Sequence, residues 1–103
     1  MPGTSIYRWD ELPEETGFGV LRRAVQGQGA SVKRIEVPAG LSGERHSHPH
    51  EQFVVVLEGT GRLDCDAGEV ELRPGTVIHF APNAWHRAAF DTETVLMEVN
   101  LGA

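Results

Sequence analysis

One hundred and three residues carrying a net charge of −6 suit one small domain, and the acidic balance argues against duplex nucleic acid or an anionic membrane as partner. No basic run exceeds Arg22-Arg23, and no apolar run approaches membrane-spanning length. The single cysteine, Cys65, excludes an internal disulfide and suits a reducing compartment, so the expectation is a soluble cytoplasmic domain.

Twelve glycines and six prolines punctuate the chain at short intervals, the cadence of an all-β protein. Residues 1–16 read as an N-terminal arm or short strand, because Pro13 and the glutamates after it stop the helix-like spacing of Ile6, Trp9 and Leu12. Strands are predicted over 17–25 and 30–37, with a turn at Gly27-Gln28-Gly29. The run 53–59 is the strongest strand signal, and its continuous apolar character predicts burial on both faces. Residues 61–66 and 69–75 read as a hairpin turning at 66–68, followed by strands over 76–82, 85–90 and 94–101. Short strands at this spacing predict a sandwich or a barrel.

Three of the five histidines fall within five residues, at His46, His48 and His50, and Gln52 follows. Neutral imidazole is the commonest protein ligand for metal, and a cation gathers several of them readily. On extended chain, residues two apart share a face, so His46 and His48 can converge on one ion. Alternation would carry His50 and Gln52 to that face too, but Pro49 favours a kink and makes parity beyond it unsafe.

The spacing of these residues resembles the two motifs of the cupin superfamily. Gly40, His46, His48, Gln52 and Gly59 match the first motif at every spacing, with glutamine where most relatives carry glutamate. Gly75, Ala81, Asn83, His86 and Phe90 match the spacing of the second, with only its glycine and histidine kept and Pro82 shifted by one. The motifs occupy 40–59 and 75–90. The resemblance implies a single cupin domain over 1–103, folded as an all-β jelly-roll barrel (a double-stranded β-helix). It also implies that His46, His48, Gln52 and His86 surround one divalent transition metal, with Mn, Fe, Co, Ni and Zn all compatible with mixed imidazole and amide ligation. It chooses Gln52 over His50 as ligand. Four neutral ligands leave the ion's charge uncompensated, which favours a small anionic, oxygen-rich substrate.

Two further groups are candidates for moving a proton. His79 lies between Ile78 and Phe80 on a predicted strand, where it either lines the cavity or makes an ordinary hydrogen bond. On the last strand, Val95, Met97, Val99 and Leu101 share one face, and Thr94, Leu96, Glu98 and Asn100 share the other. The simplest assignment turns the polar set to solvent; turned inward, Glu98 becomes a carboxylate able to shuttle a proton. Arg45, Arg62 and Arg87 are candidate carboxylate clamps or solubilising charges. Trp85 is expected to pack at the barrel rim, and Cys65 in the core.

The string "HSHPHEQ" and the strand after it resemble the small stand-alone cupins of pectin degradation, the KdgF type, which convert unsaturated uronates to linear keto forms. That resemblance implies an isomerase or lyase with the metal as Lewis acid for an enediolate. Alternatives are a metal-dependent dioxygenase of the quercetinase sort and a non-catalytic cupin that senses a metal or small ligand. The apolar runs at 53–57 and 95–101 suit a homodimer.

Overall fold

The computed structural model describes residues 3–102, and it is nearly all β. After a single 3₁₀ turn at Trp9–Glu11 come nine strands: β1 (Glu15–Gly17), β2 (Val20–Gln26), β3 (Ala30–Val37), β4 (Gln52–Glu58), β5 (Gly61–Cys65), β6 (Gly68–Leu72), β7 (Val77–Phe80), β8 (His86–Phe90) and β9 (Thr94–Leu101). They form a six-stranded sheet in the order β1-β2-β3-β9-β4-β7 and a three-stranded sheet in the order β6-β5-β8. This is the expected all-β jelly-roll barrel. No helix among the described residues is long and apolar enough to cross a membrane.

The segment 17–25 is not one strand. Phe18 and Gly19 both take positive φ, 54° and 79°, and turn the chain between β1 and β2. Such a two-residue turn matches the twist of the strands it joins, which is why β1 and β2 pair as a hairpin from Gly17↔Val20 onward.

Side chains of the larger sheet alternate between the barrel interior and its outer surface. Val20, Ile35, Val37, Val54, Val56, Phe80 and Leu96 turn inward and meet Leu63, Cys65 and Leu72 from the smaller sheet. Each such buried aliphatic or aromatic side chain stabilises the fold by roughly 1.5–3 kcal/mol relative to exposure. Strand β4 departs from its predicted two-sided burial. Gln52, Val54 and Val56 are buried, whereas Phe53 and Val55 are half-covered and Leu57 is exposed, so the outer face of the strand is only partly covered by the described residues.

Cross-strand registry arranges the inner face in rows. Ser31, Asn100, Gln52 and Phe80 stand side by side across β3, β9, β4 and β7. The next row is Lys33, Glu98, Val54 and Ile78. Polar side chains thus occupy one end of the barrel and apolar ones its middle.

Two turns hold the barrel ends. Gly59 has φ +95°, and a Cβ there would collide with Thr94 Oγ1 and the Glu93 carbonyl. Asn83 has φ +67° where the family pattern carries glycine. Asparagine tolerates that left-handed region better than most residues, so the substitution keeps the turn before His86.

Candidate metal centre

The site is built where the two sheets approach each other at the polar end. His46 lies in the loop after β3, and His86 opens β8. Their backbones exchange a reciprocal pair of hydrogen bonds, His46 N to His86 O and His86 N to His46 O, both 2.9 Å. A third bond, Asn83 N to His48 O at 2.6 Å, ties the second histidine to the turn before β8. The histidines of the two motifs, distant in sequence, are therefore fixed to one another by main-chain bonds.

The ring centroids of His46 and His86 are 4.2 Å apart, those of His46 and His48 5.0 Å, and those of His48 and His86 5.3 Å. One ligand nitrogen from each ring lies within 4.8 Å of the others, so the three histidines could hold a metal ion. Their tautomers suit that task. His46 Nδ1 is 2.9 Å from the Glu44 carbonyl and His86 Nδ1 is 3.3 Å from the Ala84 carbonyl. A carbonyl only accepts, so each Nδ1 carries the proton and each Nε2 keeps a lone pair for an ion. Phe80 stacks on His86 with centroids 4.0 Å apart and fixes the plane of that ring.

Protonation would compete with an ion, and the surroundings oppose it. Burial, reinforced by the neighbouring His46 and His50, holds His48 below the usual histidine range, and the more distant Lys33 acts in the same direction against Glu98. Burial likewise lowers His86, against the opposing hydrogen bond to the Ala84 carbonyl. Both rings are thus kept neutral, the form that binds metal.

Gln52 is 4% exposed at the start of β4. Its amide nitrogen donates to Asn100 Oδ1 at 2.8 Å and to Glu98 Oε1 at 3.4 Å. With the –NH₂ group engaged, its carbonyl oxygen is the atom left for a cation. His50 belongs to the ring outside: its Nε2 donates to the same Asn100 Oδ1 at 2.8 Å.

The histidines stand at the join of two spaces. A deep, mostly apolar cavity of about 240 Å³ reaches into the barrel, and a polar mouth of about 780 Å³ opens outward. Six side chains line both: Arg22, Lys33, His46, His48, Gln52 and Glu98. They make a throat.

Glu98 is in that throat, and the face of β9 first assigned to solvent is the inner one. Its register opposite Lys33 and Val54 turns Thr94, Leu96, Glu98 and Asn100 into the barrel, leaving the apolar set Val95, Met97, Val99 and Leu101 on the outer face. His79 is not brought to the site. It pairs with Phe53 in the β4–β7 ladder, on the outer face, and its Nε2 lies 2.6 Å from Glu51 Oε2. The three arginines offered as either clamps or solubilising charges are elsewhere too. Arg62 pairs with Glu69 at 3.0 Å, Arg87 with Asp64 at 2.7 Å, and Arg45 lies 3.9 Å over the Trp85 ring. The cations that do line the cavity are Arg22 and Lys33, which sequence inspection passed over. A signal existed: Arg22 shares parity with buried Val20, and Lys33 with buried Ile35 and Val37.

Residues 33–100 match the cupin domain family. Among curated proteins, L-ectoine synthase of Mycolicibacterium vanbaalenii is 38% identical over 71 residues, which cover 67% of this chain and 55% of that protein. The chain therefore spans about half the length of that relative. Among solved structures, an RmlC-like cupin from Shewanella frigidimarina superposes with TM-score 0.89 at 22% identity, over 98% of this chain and 93% of the other. KdgF from Halomonas sp. gives TM-score 0.86 at 19% identity, over 96% and 95% of the two chains. Ectoine synthase from P. lautus also gives 0.86, at 16% identity over 96% and 78%. These structural likenesses show the fold.

Proposed function

The chain belongs to the cupin family, and on that premise we propose that it is a metal-dependent isomerase or lyase acting on a small, oxygen-rich anion such as an unsaturated uronate. The observation behind this reading is the throat, where three imidazoles prepared for an ion meet one carboxylate, Glu98, at the mouth of a mostly apolar cavity. His46, His48, His86 and the Gln52 carbonyl would hold a divalent transition ion. When bound, that ion supplies Lewis acidity to substrate oxygens.

The rest falls to the chain itself. Glu98 lies beside the Gln52 amide and across β3–β9 from Lys33, within a partly closed space. From there its carboxylate takes a proton from one substrate carbon and returns it either to a neighbouring atom, which completes an isomerisation, or to a departing substrate hydroxyl that leaves as water, which completes an elimination. The apolar walls limit water around the reacting carbons. His79, on the outer face and bound to Glu51, has no part in this proposal.

The test is direct. Metal-loaded protein incubated with unsaturated galacturonate should remove its ultraviolet absorbance, and a rate no greater than background with full metal content rejects this substrate. Oxygen uptake with a flavonol in place of that activity would mark a dioxygenase instead. A second reading has the 38% identity to L-ectoine synthase behind it, and concerns formation of that compound or a relative. Calorimetry of metal-loaded protein with L-ectoine tests it: saturable heat supports the reading, and none removes it.

A further inference from the structure

Among the described residues, four of the arginines are held in ion pairs with carboxylates, and Arg45 lies on Trp85. Arg22 and Lys33 are different. Both are half-buried, both line the deep cavity and its mouth, and neither takes part in an ion pair. Lys33 stands directly opposite Glu98 in the β3–β9 ladder, yet their charged ends do not come within 4.0 Å. Lys33 also faces Ala24 across β2–β3. Arg22 stands one row deeper, opposite Ile35, and lines both the deep cavity and its mouth. A partly buried cation without a counter-ion is unfavourable, and against the one carboxylate of the throat, Glu98, two cations leave a positive charge to spare, which favours an anionic ligand.

We propose that Arg22 and Lys33 form a carboxylate-binding subsite that anchors the acidic end of the substrate, opposite the imidazole cluster whose ion would take its neutral oxygens. This rests on the anionic-substrate reading above and sharpens it. The ligand carries a carboxylate at one end and hydroxyl or carbonyl oxygens a few bonds away. Arg22 offers the planar fork that grips a carboxylate bidentately, and Lys33 adds a point charge. The two cations come from β2 and β3, and the imidazoles from the loop after β3 and from β8, so the ligand spans the throat. Glu98, on β9 between β3 and β4, then faces the carbons that join the ligand's two ends. Arg22 and Lys33 are positioning residues, and Glu98 is the proton carrier.

The test uses calorimetry of nickel-loaded full-length protein with D-galacturonate and with D-galactose, its neutral counterpart. Wild type should bind galacturonate at least tenfold more tightly than galactose. Arg22→Gln and Lys33→Gln should each weaken galacturonate binding about tenfold or more, as expected for a lost charge-assisted hydrogen bond, and leave galactose binding unchanged. Arg22→Lys and Lys33→Arg should recover part of the loss, and unchanged metal content and melting temperature should show that the variants fold. Galacturonate affinity within twofold of wild type in both glutamine variants overturns the subsite, as does a wild type that does not prefer galacturonate over galactose. Failure of the enzymatic reading looks different: galacturonate bound through these side chains without turnover of its unsaturated analogue keeps the subsite and rejects the reaction. Turnover that is indifferent to both variants does the reverse.

Discussion

Gln52 Nε2 donates to Asn100 Oδ1 at 2.8 Å, across the β4–β9 ladder. This bond decides which end of the amide faces the histidines. A glutamine free to rotate would present its –NH₂ group half the time, and an –NH₂ group does not ligate a cation. Because Asn100 and Glu98 take the nitrogen side, the oxygen is held ready. Gln52→Ala is therefore expected to weaken metal affinity, and Asn100→Ala to weaken it about tenfold through loss of orientation alone. Competition with a chromogenic chelator measures both. Unchanged affinity in Gln52→Ala would leave a site of three histidines.

The proposed function gives Glu98 the proton transfer, and its isostere separates that task from metal binding. Glu98→Gln keeps the shape of the side chain and can still accept from the Gln52 amide through its carbonyl oxygen. Turnover should fall about 100-fold or more, the usual worth of a general acid or base, with metal content unchanged. Loss of metal along with turnover would mean that the carboxylate serves the ion rather than the substrate.

The sequence was most legible where spacing is rigid. Eight of the strands, β2 to β9, are recognisable from apolar runs and turn residues, and His46, His48 and His86 meet as the two motifs imply. Facing was harder to read. On β9 the polar set Glu98 and Asn100 turns inward and the apolar set outward, the reverse of the usual solvent rule, because the interior of this barrel end is a throat lined by polar side chains. The same inversion hid Arg22 and Lys33, whose charges read as surface until their parity with Val20 and Ile35 is followed. The turn at Phe18 escaped notice for another reason. A bulky aromatic at φ 54° is not a turn signal, and only Gly19 beside it hints at one.

The outer face of the larger sheet carries the homodimer proposal. Val25, Val32, Val99 and Phe53 stand side by side across four strands, and Met97, Val55 and Val77 form a neighbouring row. Val77 is 64% exposed and Leu57 43%. A continuous apolar strip of this kind is uncommon on a surface that meets only water. Sedimentation should give the mass of two chains for wild type, and Leu57→Asp with Val77→Asp should shift it toward one. A wild-type mass of one chain at micromolar concentration rejects the dimer.

Acid should weaken the metal-free protein in a defined window. His48 and His86 both lie below the ordinary histidine value of 6.5, chiefly through burial. Above that value both rings are neutral in the folded and unfolded chains, and neither contributes a pH dependence. As pH falls through about 6.5, the unfolded chain takes up protons first. The folded chain lags, so stability declines until the depressed folded values are passed and the slope levels off. Melting temperature of the apo protein between about pH 8 and pH 5 should therefore fall on the acid side of 6.5. The His86→Asn variant should show a shallower slope, since one of the lagging groups is gone. A metal ion binds only the neutral rings, so the loaded protein should hold its melting temperature to lower pH and then lose ion and stability together. Equal slopes in wild type and the His86→Asn variant would show that acid acts elsewhere in the fold.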